Sequence, residues 1–169
     1  MTKKFSNSRK DQFLVGLEQK AAAHTALSGV CDKSKFNFAY FTVQNAGQDF
    51  GDWNHVEIVE LLLKVKQYTN EPLNYWLTQF SGKNPTFVIY EQFPPNTDFT
   101  WPAHVPTGVR WARFRLDQKR RLIGFVVPSQ VPNSPKTPNR SNDSSRLDQN
   151  AFYVVFFDRD HRFYKTEPQ

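Results

Sequence analysis

The sequence predicts an α+β fold: N-terminal helices packed on an antiparallel β-sheet, with a C-terminal β-meander. Three observations carry this expectation. Apolar residues recur at helical spacing between Lys10 and Phe80, whereas aromatic and β-branched runs of seven or eight residues dominate from Val109 onward. Helical patterns come first and strand patterns last, which is the order of an α+β chain rather than an alternating α/β one. The 169 residues hold 16 Phe, 6 Tyr and 4 Trp against 1 Met, ring area enough to build a core without metal or disulfide staples.

Residues 1–9 are polar and basic and read as a flexible tail, and residues 10–169 read as a single domain. Over 10–27, Phe13, Leu14, Leu17, Ala21 and Leu27 fall near one helical stripe. That predicts an amphipathic helix closed near Gly29, with one face on the sheet. Residues 36–43 alternate weakly and read as a strand, with a turn over 45–52. Asp52 or Asn54 suits the N-cap of a second helix reaching Tyr68, with Val56, Val59, Leu62, Leu63 and Lys66 at helical spacing and acids in its first two turns. A third helix starts at Pro72 and carries Leu73, Trp76, Leu77 and Phe80 inward. Residues 86–90 form a strand. Pro94, Pro95, Pro102 and Pro106 make residues 93–108 a long surface connection. Strands over 109–116, 121–127 and 151–157 complete the meander, the first two joined by the tight turn 117–120. The last is apolar on both faces and is predicted to be central. Residues 128–150, rich in Pro, Ser and Asn, form a flexible loop.

The net charge of +6 is concentrated. Residues 1–20 carry +3 and residues 109–127 carry +5, while residues 21–108 carry −3 and contain no arginine. Such an excess suits a polyanion partner, and equally suits a solvated hairpin. The period of two on 109–116 puts Trp111, Arg113 and Arg115 on one face and Arg110, Ala112 and Phe114 on the other. With Lys119, Arg120 and Arg121 from the turn and the next strand, Arg110, Trp111, Arg113 and Arg115 form a candidate nucleic-acid surface. Guanidiniums would hold phosphates and Trp111 would stack a base. The competing reading makes Trp111 core and pairs the arginines with Glu57 and Glu60 of the acidic helix.

The last strand ends in Asp158-Arg159-Asp160-His161-Arg162-Phe163-Tyr164. Titratable groups at the end of a fixed strand are placed for chemistry. His161 suits a general acid or base, Arg162 a stabiliser of developing phosphate charge, and Tyr164 a proton donor or stacking ring. Asp158 and Asp160 are equally ordinary turn formers. His24, His55 and His104 lack metal-ligand spacing, Cys31 has no partner, and no glycine-rich phosphate loop or nucleophile elbow occurs. No metal and no cofactor are therefore predicted. Glu57, Glu60 and Lys64 interrupt the most apolar run, so no membrane span is expected. Without a leader-like start, a cytoplasmic location is expected.

The segments RWARFRLDQKRRLIGFVV (110–127) and FYVVFFDRDHRFY (152–164) give the chain a shape that resembles the RelE/ParE-like bacterial toxins, small basic endoribonucleases of toxin–antitoxin modules. The resemblance implies metal-independent, ribosome-dependent cleavage of mRNA and an antitoxin partner. Arg113, Arg115 and Arg121 would hold RNA, and His161, Arg162 and Tyr164 would assist cleavage. This chain is longer than such toxins and adds a strand, a helix pair and the 128–150 loop. Its tail is also similar to uncharacterised bacterial proteins that end F-[YH]-x-V-x-F-D-x-x-H-x-x-Y. Two functions stay open: an RNA- or polyanion-binding protein, extending to a RelE-like ribonuclease, and a non-enzymatic protein-interaction module of a prophage or defence system.

Overall fold

The structure is a computed structural model that describes residues 12–17, 32–90, 92–128 and 147–165. The chain divides into two units, Met1–Lys33 and Ser34–Gln169. In the first, residues 12–17 are helical (α1). The basic tail, the rest of the helix predicted over 10–27 and most of the 128–150 loop lie outside the described residues.

The second unit is an α+β domain built on a five-stranded sheet, in the order β1 (Lys35–Asn37), β7 (Ala151–Asp158), β6 (Arg121–Val126), β5 (Arg110–Arg115), β4 (Phe87–Ile89). The predicted meander is present: β4, β5, β6 and β7 pair antiparallel in sequence. The sheet as a whole is mixed, however, because β1 runs parallel to β7, with Phe36 opposite Phe152. β1 is also shorter than the strand expected over 36–43. Asn37 Oδ1 accepts the amide of Ala39 and the Phe38 carbonyl accepts the amide of Phe41, which turns the chain. The following segment still tracks the β7 edge, through Thr42 N to the Val155 carbonyl (3.0 Å) and Gln48 N to the Phe157 carbonyl (3.3 Å).

Helix α2 (His55–Tyr68) is capped as expected. Asn54 Oδ1 accepts from Glu57 N, and Glu57 Oε2 accepts from Asn54 N, each at 3.0 Å. Its inward side differs from the expectation. Ile58, Leu61, Val65 and Tyr68 meet the sheet, whereas Val56, Val59, Leu62 and Leu63 are 40–63% exposed. The helix carries two apolar stripes on opposite sides, and its pattern alone does not say which one the sheet takes. Helix α3 (Leu73–Leu77) buries Leu73 and Trp76, but Leu77 and Phe80 face outward. The helix ends before Phe80, which instead opens a small hairpin of β2 (Phe80–Ser81) and β3 (Asn84–Pro85), turned at Gly82 with φ +64°.

Every residue of β6 and β7 is buried; β6 is the middle strand of the five, and β7, with its two-faced apolar pattern, is interior, between β6 and the short edge strand β1. One face of the sheet packs on the helices through Ala112, Phe114, Leu122, Phe152, Val154 and Phe157. The other is covered by the 93–108 connection, which is more than a surface loop: Phe99 and Val105 are buried against Trp111, Phe156 and Phe163. A bulge in β7 sets which residue faces which layer. Ile123 pairs with Phe156 and Gly124 with Val154, so Val155 is an extra residue. Consequently Val155 and Phe156 both belong to the loop-covered core, Phe157 returns to the helix side and Asp158 to the loop side. At this bulge a Cβ on Gly124 would lie 2.1 Å from the Tyr153 carbonyl oxygen, which requires glycine there.

Candidate functional site

The loop-covered face opens into a cleft of about 730 Å³, lined by Val88 and Tyr90, Arg113 and Arg115 of β5, Arg121 and Ile123 of β6, and Asp158, His161 and Phe163 to Lys165. This is within the range of small-ligand sites, about 300–1,000 Å³. Strand alternation explains the floor. Arg113 and Arg115 are two apart on β5, and Arg115 is paired across the ladder with Arg121, itself opposite Asp158.

The three guanidiniums are not equivalent. Arg121 is 2% exposed and spends its N–H groups on the hairpin turn: Nη1 donates to the carbonyls of Asp117 and Arg120, both at 2.8 Å, and Nη2 to Gln118 at 3.0 Å. Burial, then the charges of Arg115 and Arg113, push its pKa down to about 10, so it remains a cation at neutral pH. Arg113 donates from Nε to the Tyr90 hydroxyl (3.0 Å). Arg115 reaches the Asp117 and Gln118 carbonyls from Nη1 at 3.3 and 3.4 Å, and its pKa is lowered by burial and by Arg113. Arg113 Nη1 and Arg115 Nε are buried with no acceptor among the described residues.

Asp158, the acid on this floor, is 1% exposed, and its two oxygens accept the amides of Arg162 (2.9 Å) and Phe163 (3.1 Å). That turn sends the chain back across the sheet. Phe163 is fully buried among Trp111, Phe99 and Phe156, and Tyr164 stacks on Tyr90 with centroids 5.1 Å apart and planes 6° from parallel. Lys165 pairs with Asp98, and the Arg162 carbonyl accepts from Asp98 N at 3.1 Å, which stitches this wall to the 93–108 connection. His161 has φ +58°, a left-handed conformation rare for a side-chain-bearing residue, and its Nε2 lies 3.3 Å from the Gln118 carbonyl oxygen. The tail is thus both the turn and the cleft wall.

Of the residues expected to meet nucleic acid, Arg113, Arg115 and Arg121 converge on the cleft and four do not. Arg110 is on the opposite, helix-facing side of β5. Trp111 has no exposed surface and offers no face to a base, because Phe93, Trp101, Phe156 and Phe163 pack around it. Lys119 sits in the exposed turn. Arg120 lies across the hairpin, bonded to Asp117 and Glu60, 3.6 Å from Glu57 and 5.4 Å from the Trp53 ring centroid. This is the pairing with the acidic helix that the competing reading foresaw. Among the expected catalytic residues His161 and Tyr164 line the cleft, whereas the Arg162 side chain is exposed and outside the lining, its backbone serving the turn. Sequence reasoning missed Tyr90. Its signal was the period of two with Val88, readable only once residues 86–90 are known to pair with β5.

Among the described residues no group of three metal-ligating side chains is gathered, and no helix is long and apolar enough to cross a membrane. Comparison with known proteins finds no matching family model, no matching curated protein and no matching solved structure.

Proposed function

We propose that the chain binds single-stranded RNA, with phosphate oxygens on Arg113 and Arg115 and a base against Tyr164. One observation carries this reading: two strand-mounted guanidiniums, Arg113 and Arg115, line the cleft side by side and neither is ion-paired among the described residues. A guanidinium without a carboxylate partner keeps its charge for an incoming anion, and its planar fork matches phosphate geometry. The half-exposed Tyr164 supplies the stacking surface that buried Trp111 does not.

The same cleft supports a catalytic extension of the kind the toxin resemblance implies. His161 takes the proton of a ribose 2′-hydroxyl and the 2′-oxygen attacks the adjacent phosphorus. The 5′-oxygen then leaves with a proton from Tyr164, giving a 2′,3′-cyclic phosphate and a 5′-hydroxyl with no metal required. The left-handed backbone at His161 favours this role, since strain of order 1–3 kcal/mol concentrates at working sites. The interaction-module reading is favoured by a different feature, the outward apolar stripe of α2.

The test is a titration of end-labelled single-stranded RNA at two salt concentrations, with each sample then run on a denaturing gel. Arg113→Ala with Arg115→Ala should weaken binding about tenfold or more and flatten the salt dependence by about 0.7 per lost phosphate contact. Unchanged affinity and slope overturn the RNA reading. New bands that vanish in His161→Ala, with binding retained, establish the catalytic extension; bands that persist remove His161 from it.

A further inference from the structure

Counting the fixed charges around the cleft specifies its ligand more closely. Arg121 and Asp158 stand opposite each other in the β6–β7 ladder and are both buried, so their charges offset. Lys165 is engaged by Asp98, and Asp117, in the hairpin turn beyond Arg115, by Arg120. What remains is Arg113 and Arg115, two cleft-lining guanidiniums with no carboxylate partner among the described residues. An internal phosphodiester brings one negative charge and leaves one of the pair uncompensated in a partly desolvated site. A phosphate monoester brings about −1.5 to −2 at neutral pH and three terminal oxygens, which answers both. The aromatic pair Tyr90–Tyr164 lines the same cavity, and Arg113 already bonds the Tyr90 hydroxyl, so the phosphate-binding and stacking groups are adjacent.

We infer that the cleft is a receptor for a nucleotide's terminal phosphate: the phosphorylated end of an RNA strand is held by Arg113 and Arg115, with its terminal base beside Tyr164. This end-recognition rests on the RNA reading above and narrows it. An RNA seated this way brings its terminal linkage, rather than a mid-chain one, into the cavity that holds His161.

The probes are tetranucleotides 2′-O-methylated throughout, so that no 2′-hydroxyl attack is possible, carrying a 5′-phosphate, a 3′-phosphate or hydroxyls at both ends. A nucleoside 5′-monophosphate and a short poly-glutamate peptide serve as competitors. With the full chain, one phosphorylated tetranucleotide should bind about tenfold to a hundredfold more tightly than the hydroxyl-ended one. Which one binds better identifies the end, and equal displacement by the mononucleotide would assign the site to free nucleotides as the source of the same chemistry. The preference should disappear in Arg115→Lys, which keeps charge and stem but removes the fork, so that loss does not depend on unfolding. Equal binding of all three oligonucleotides, weakened alike by Arg113→Ala, overturns end-recognition and leaves RNA binding standing. No binding of any of them overturns both, and stronger displacement by the acidic peptide than by the mononucleotide replaces the nucleotide with a protein partner.

Discussion

Tyr68 sits in the last turn of α2 and ties the helix layer to the cleft through a single hydroxyl. Its ring stacks on Phe114 at 4.7 Å, and its Oη donates to the carbonyl of Arg115, whose side chain leaves the opposite side of the strand for the cleft. Burial pushes its pKa up to about 12, with Arg115 and Arg121 pulling partly against that shift. The folded state therefore favours the protonated phenol. This contribution is complete below the ordinary value near 10 and is lost as pH rises from about 10 towards 12. Tyr68→Phe should cost about 1–2 kcal/mol at pH 7, and the gap between wild type and variant should shrink at pH 11; urea unfolding at both pH values checks this. At this scale the sequence was legible wherever neighbours in the chain decide. Period-two alternation on β5 correctly grouped Arg113 with Arg115 and separated Arg110. It was silent on Trp111 and Arg120, because residues 93–108 and Phe163 bury the one, and Glu57 and Glu60 claim the other.

Helix α2 shows the same division at the scale of an element. Its start was readable to within two residues, Asp52 or Asn54, and the capping box between Asn54 and Glu57, which is local chemistry, decides for Asn54. Its orientation was not, because the helix offers two apolar stripes and the sheet selects the one that places Leu61 and Tyr68 inward. Leu61→Ala should cost about 2–4 kcal/mol, whereas Leu62→Ser with Leu63→Gln should leave stability within about 0.5 kcal/mol; denaturant midpoints separate the two. If the outward stripe serves a partner, the second variant alone should lose that partner while keeping RNA affinity. The hairpin turn behaves differently, and its anchoring is partly written in its own four residues. Although burial pushes the Asp117 carboxyl up, the amides of Arg120 and Lys119 and the Arg120 side chain together hold its pKa below the usual carboxylate value. The charges that decorate this turn largely hold it together, which is why Arg120 does not reach the cleft.

For the molecule as a whole, helices before a meander fixed the α+β class, and burial on both faces of β7 followed from its apolar run, whereas the equally complete burial of β6, Arg121 included, had no such signal. Two features of the whole were hidden. The parallel β1 joins the sheet across more than a hundred residues of chain, with only three residues of ladder to announce it. The bulge is masked by chemistry, for Val154-Val155-Phe156-Phe157 is apolar whichever way it alternates. Strict alternation would have put Phe156 and Asp158 with Phe152 and Val154, on the helix side. In gene terms, one codon governs the phase of the last strand. Removing Val155 would restore an uninterrupted two-residue beat that leaves Phe156, Phe157 and Asp158 on their present sides. The loss is one buried valine and the hydrogen bond from Thr42, together about 3 kcal/mol. Adding a single alanine after Phe156 would turn Phe157 and Asp158 to the wrong layers and bury a carboxylate among aromatic rings. Thermal unfolding should show a cooperative transition for the deletion and none for the insertion. A strand ordinarily tolerates neither, so lineages of this chain would be free to lose a residue at one place in β7 where they could not gain one beside it.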